Sequence, residues 1–374
     1  MLSLRSARAL EAAATRGKAT VAQPQPQPRA DEEEAGQQGH GQRQRLGLFA
    51  RAAPDRQAEL HDQLQEREVR IPVPWGHVAG AWWGRTDQRP LLALHGWGDN
   101  AGSFQRLSSS LRGVPVLALD LPGHGLSSRL PRGVAPADRG LLLAVVRRVQ
   151  RALGLTSLSL VGHSLGDAVA LQYAAAYPAD VDMYVSLDTL VPAPASADGE
   201  IKSFGGQLDE LLEAEETLDE PPRTATRAQL VSALVAGRSG SLNMHAAETL
   251  LRRGAHASQA GLTLTLDPRV SRSSSVLSGA LSLACARSVR CPTLAVLPQW
   301  RCPRALAADE ELRERFLADL RMAAKTVTAV SVTGTHHAHL NSPEVVVPSL
   351  QEFLDEHRGA SQAFQTQSVE AFFV

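Results

Sequence analysis

The chain has 374 residues, 43% of them hydrophobic, and a formal net charge of −1. That length allows one large domain or two ordinary ones with a substantial core, and the balanced charge provides no broad field for nucleic acid or acidic lipid. The three cysteines, Cys285, Cys291 and Cys302, form neither an even set nor a CxxC pair. A disulfide framework and structural zinc are therefore disfavoured, and reduced thiols are expected.

No apolar run reaches the roughly 18 residues of a membrane span, and the N-terminus lacks the compact apolar stretch of a secretory signal. The first residues are rich in Ala and Arg with one acid, Glu11, a pattern weakly like a mitochondrial transit peptide. The Gln-Pro run from Gln23 to Pro28 and the acidic run Asp31 to Glu34 follow at once. Such segments bury too little apolar area to offset ordering entropy, so residues 1–66 are expected to form a disordered leader.

Order is expected to begin where Val69, Ile71 and Val73 alternate with polar or turn residues, with Val78 to Trp83 as the return arm of a hairpin. Short apolar strands then follow at Leu91 to Leu94 and Val114 to Leu119. The stretch Pro136 to Leu153 has helical periodicity through Leu141, Val145, Val149 and Leu153. Leu158 to Val161 reads as a strand running into Gly162 and Ser164, with a helix after it that Pro178 stops. Further strands are expected at Met183 to Leu187, Thr293 to Leu297 and Val327 to Val332, and helices at Asp309 to Ala324 and Pro343 to His357.

Short apolar strands alternating with helices imply an α/β fold with a mostly parallel sheet covered on both faces. Residues 191–288 break that rhythm, with helical patterns at Arg227 to Ala236 and Met244 to Arg253, and predict a helical cap over the sheet. The core would then comprise 67–190 and 289–358, and 359–374 a flexible tail.

A serine hydroxyl is a poor nucleophile until a base takes its proton. Gly162-His163-Ser164-Leu165-Gly166 places Ser164 at G-x-S-x-G spacing between a strand and a helix, where a sharp turn exposes the hydroxyl and flanking glycines permit close backbone approach. A small-residue turn in a doubly wound fold is the plainer alternative. His95-Gly96-Trp97 ends an earlier strand, so the Trp97 and Leu165 backbone N–H groups are the candidate oxyanion donors.

Gly334-Thr335-His336-His337-Ala338-His339 follows the last strand, where a general base is expected. No acid or cysteine close in sequence completes a metal-ligand set for these histidines, so no metal is expected, and His337 and His339 are read as surface or supporting residues. An acid should orient the base. After Thr293 to Leu297 the chain offers no carboxylate before Asp309, which leaves Asp188, at the preceding strand's end, as the candidate acid. Asp188 as a plain turn carboxylate is the equal alternative, and Asp120 is read as a loop-stabilising group.

With these residues placed, the chain resembles the α/β-hydrolase superfamily, and within it the serine hydrolase-like proteins. The likeness rests on Val73-Pro74-Trp75-Gly76-His77, the segment Leu94 to Ala101, Gly123 to Ser128, Gly162-His163-Ser164, Leu187-Asp188-Thr189, and His336 and His339 ahead of Pro343. It implies that His336, seven residues before Pro343, is the catalytic histidine, supports Asp188 as the acid, and implies a helical lid. It also implies a perinuclear-cytoplasmic or peroxisomal setting. One departure is Asp167, where the family usually has glycine; a carboxylate there suits a helix N-terminus, yet adds bulk between helix and strand and charge beside an anionic intermediate.

The expected activity is hydrolysis of a small ester, thioester or related acyl substrate with no metal or organic cofactor. Epoxide hydrolases and haloalkane dehalogenases on the same fold use aspartate at the elbow, which Ser164 argues against. A catalytically silent binding or scaffold protein is the alternative from a different class.

Overall fold

The computed structural model describes residues 65–136, 138–188, 197–270, 278–299, 307–358 and 367–374. Residues 1–64 of the expected leader lie outside the described residues, as do 300–306 with Cys302.

The first half runs β1 (Arg67–Val73), β2 (Gly76–Trp83), β3 (Leu91–Leu94), α1 (Gln105–Ser110), β4 (Val116–Leu119), α2 (Arg139–Ala152), β5 (Leu158–His163), α3 (Leu165–Ala176) and β6 (Val181–Leu187). The cap region supplies α4 (Ala197–Glu216), α5 (Arg227–Gly237), α6 (Met244–Gly254), β7 (Ala255–Ser258) and β8 (Gly261–Leu264). The chain then returns through α7 (Gly279–Ala286), β9 (Thr293–Pro298), α8 (Ala307–Ala323), β10 (Val327–Val332), α9 (Ala338–Asn341), α10 (Val347–His357) and α11 (Gln367–Glu370).

Eight strands form one sheet in the order β1-β2-β4-β3-β5-β6-β9-β10. The hairpin β1–β2 is antiparallel, as is β2 against β4, and every later pairing is parallel. β3, β4 and β5 are buried at every position, which their unbroken apolar runs anticipate for central strands covered on both faces. The core accordingly divides. One face carries Leu92, Leu117, Leu160, Val145 and Val169 among its residues, and the other Phe104, Val161, Val185, Val296 and Leu350.

Local chemistry sets the element ends. Asp138 caps α2, its carboxylate accepting from Leu141 N–H at 2.7 Å, and that helix starts three residues later than periodicity predicts. The expected final helix divides: Pro343–Val345 is a 3-10 turn before α10. Leu283, Cys285 and Ala286 of α7 join the main core, so the expected cap interval 191–288 ends in a helix that packs beneath the sheet. Residues 255–264, read as part of a helical cap, form the two-stranded ribbon β7–β8.

From Gln367 onward the segment read as a flexible tail docks on the sheet edge. Arg70 N–H donates to Phe372 O at 2.8 Å, Val374 N–H donates to Glu68 O, and Phe373 meets the Trp82 ring edge-on. These contacts cover the outer edge of β1, which would otherwise present unpaired backbone groups.

Candidate active site

The three strands that end at the site are neighbours: β3 leads to His95, β5 to Ser164 and β6 to Asp188. Ser164 lies at φ 54°, ψ −116°, a conformation that side-chain-bearing residues rarely adopt. The flanking glycines allow that turn. A β-carbon on Gly166 would lie 2.1 Å from Leu94 O, and one on Gly162 would lie 2.4 Å from Asp167 Cα. Gly166 N–H instead donates to His95 O at 3.0 Å, holding the elbow against the end of β3. Gly96 packs its backbone on the His163 ring.

His336 Nδ1 is hydrogen-bonded to Asp188 Oδ2, and both side chains keep a little solvent access. Asp188 sits at φ 71° while its N–H stays in the ladder with Val296 O at 2.9 Å, so the carboxylate is turned out of the strand end. The pair therefore exists in three dimensions although 148 residues separate its members. The Ser164 hydroxyl is not hydrogen-bonded to His336. The two are linked through His163, whose Nε2 meets His336 O at 2.8 Å and whose ring lies 4.5 Å from the His336 ring.

Trp97 and Leu165 occupy the loop after β3 and the first position of α3, and among the described residues neither N–H has a backbone acceptor. The Leu165 amide, at the start of that helix, lies at the positive end of its dipole. His95, by contrast, is a brace. Its Nε2 accepts from Leu121 N–H at 3.0 Å, its Nδ1–H donates to Gly96 O at 2.7 Å, and burial lowers its pKa. His124 does the same for the next loop, accepting from Gly98 N–H at 3.1 Å, with burial pushing its pKa down to about 3.

His337 and His339 are buried, which corrects the surface reading. His337 Nε2 meets Asp99 Oδ2 at 3.3 Å and its Nδ1 meets Ser241 Oγ at 3.0 Å. Asp99 also accepts from Arg238 at 2.9 Å. Burial alone would raise the Asp99 carboxyl, but His337 and Arg238 outweigh it and hold it well below the usual carboxylate range. Sequence reasoning did not find Asp99, Arg238 or Ser241. Their partners are remote in sequence, and Arg238 and Ser241 come from the cap, whose α5–α6 layer closes over this loop with Leu340 in its apolar cluster.

Asp167 does not point at the reacting centre. It is buried between α3 and β6, accepting from Ser186 Oγ–H at 2.7 Å and from the Tyr184 hydroxyl. Burial raises its carboxyl well above the ordinary range, against the two hydrogen bonds that favour the anion, and nearby Asp188 adds to the rise. Because the folded-state pKa exceeds the unfolded one, the group's favourable contribution is complete below the ordinary carboxyl value of 3.8 and is lost as pH rises toward the folded pKa. Asp167→Asn keeps the shape and removes this titration. Its melting temperature is expected to exceed the wild type's by a margin that widens from pH about 4 upward. Parallel melting curves across that range would refute a neutral Asp167.

Comparison with known proteins agrees with this fold. Residues 89–262 match the family model described as alpha/beta hydrolase fold. A Drosophila melanogaster protein named "Probable serine hydrolase" is 31% identical over 317 residues, covering 82% of this chain and 95% of that protein. A "Serine hydrolase-like protein" of Mus musculus is 31% identical, covering 77% of this chain and 95% of its own length. Among solved structures, a hypothetical protein from Pseudomonas aeruginosa PAO1 is similar at TM-score 0.65 and 29% identity, covering 79% of this chain and all of that one. The chain belongs to the serine hydrolase-like family of the α/β-hydrolase fold. No helix among the described residues is long and apolar enough to cross a membrane.

Proposed function

We propose that this hydrolase cleaves a small ester, thioester or related acyl substrate through an acyl-enzyme on Ser164. The observation that carries the reading is the His336–Asp188 pair, together with a serine held in a strained strand-to-helix turn. In the first half-reaction the Ser164 hydroxyl gives its proton to His336 Nε2 as Oγ bonds to the acyl carbon. Asp188 holds the Nδ1–H and stabilises the imidazolium that forms. The Trp97 and Leu165 N–H groups take the oxyanion, a role in which one donor is commonly worth about 3 kcal/mol. Collapse expels the alcohol or thiol, which takes the proton from His336. Water then repeats the sequence, with His336 as base, and releases the acid and free Ser164.

His95, Gly96, Gly162, His163 and Gly166 support this arrangement without touching substrate. No step calls on a metal or an organic cofactor. The perinuclear-cytoplasmic or peroxisomal setting rests on the family resemblance alone. The reading is tested with a fluorophosphonate probe. Wild type should be labelled on Ser164, and Ser164→Ala, folded as judged by its melting curve, should not. Equal labelling of the two would remove Ser164 from the mechanism.

A further inference from the structure

One contact inside the site lacks a partner of the right kind. His163 Nε2 faces a carbonyl oxygen, His336 O, so it carries the proton and donates. The Nδ1 atom is then a lone-pair acceptor. It is fully buried, it has no hydrogen-bond partner, and it lies 3.8 Å from Asp99 Oδ2, a second acceptor. Two buried acceptors that face each other require a cation or a bridging donor between them. A water donating to both would set them about 4.6 Å apart, wider than the observed gap.

The remaining geometry suits a metal ion. Asp99 Oδ2, His163 Nδ1 and a His337 ring nitrogen lie within 4.8 Å of one another, and His337 Nε2 is 3.3 Å from the carboxylate oxygen. Ligand atoms about 2.0–2.1 Å from a tetrahedral zinc stand about 3.3–3.4 Å apart. The far nitrogen of each imidazole is already held, His163 by the His336 carbonyl and His337 by the Ser241 hydroxyl, as outer partners hold metal-bound histidines. The expectation of no metal rested on the lack of a nearby acid in sequence; the fold supplies Asp99 from 238 residues away.

We propose that Asp99, His163 and His337 bind a divalent transition-metal ion of the zinc class. Three protein ligands leave a fourth position for water. Arg238 holds Asp99 Oδ1 from the other side, and its positive charge weakens the site, so the ion is a reversible ligand. The binding is independent of the serine-hydrolase reading.

The test uses the purified full chain, with Co2+ as a spectroscopic probe and Zn2+ for X-ray absorption. Wild type should bind one Co2+ with the strong visible bands of a four-coordinate site, and X-ray absorption of the zinc-loaded chain should count two imidazoles. His337→Gln should lose those bands, while the exposed-residue control His245→Gln and the base variant His336→Gln should keep them. Absence of the bands in wild type, a single imidazole by absorption, or bands unchanged in a folded His337→Gln would overturn the site.

Discussion

Asp188→Asn is expected to lower turnover about 10⁴-fold with little change in substrate affinity. The side chain meets His336 Nδ1 at the end of β6. An asparagine in that position can present an N–H to the ring, which favours the tautomer whose proton sits on Nε2. That nitrogen must be bare to take the Ser164 proton, so the variant keeps its shape and loses its base. Steady-state kinetics on a chromogenic short-chain ester checks this. A loss below tenfold would show that Asp188 is a turn carboxylate, the alternative its sequence position also allowed.

The largest stability loss is expected from Asp120→Ala. This buried carboxylate accepts from Ala101 N–H at 2.7 Å, Leu126 N–H at 2.9 Å and Arg253 at 2.7 Å. Arg253 also reaches Glu68 at 2.6 Å and so joins cap helix α6 to the loops after β4 and to β1. Removing the acid leaves one buried and one half-buried amide unpaired and takes from a buried guanidinium its only fully buried carboxylate partner, although Glu68 remains. Breaking a buried pair costs about 3–5 kcal/mol, well above the price of a surface ion pair. Chemical denaturation should show the unfolding free energy falling by that amount, through a lower midpoint with an unchanged slope. A loss under about 1 kcal/mol would mean that the Glu68 contact holds the cap edge by itself.

The elbow was legible because three levels of the sequence agree there. The apolar run of β5, the G-x-S-x-G spacing and the helical run of α3 all demand the same turn. His336 was narrowed from three adjacent histidines by its distance from Pro343, a family spacing and not a physical argument. Asp188 was found by elimination, and its pairing with His336, which follows β10, depends on the sheet order β6-β9-β10, which no local pattern encodes. The Asp99–His337–Arg238 cluster was illegible for the same reason, since it joins a strand-end loop, a cap helix and the base loop. The β7–β8 ribbon has four-residue strands that are half-exposed or exposed, too short to show alternation. The C-terminal contact did leave a signal: Phe372 and Phe373 are adjacent aromatics in a segment otherwise read as solvated. Asp167 was placed at the helix start correctly, but its burial beneath α3 required knowing where Tyr184 and Ser186 point.

Intact-mass spectrometry during turnover of an activated ester detects the acyl-enzyme itself. Wild type quenched in the first turnovers should carry one acyl group, mapped to the peptide that contains Ser164, and Ser164→Ala should carry none. A wild-type chain that hydrolyses the ester while remaining unmodified, or that is acylated at another residue, would contradict it.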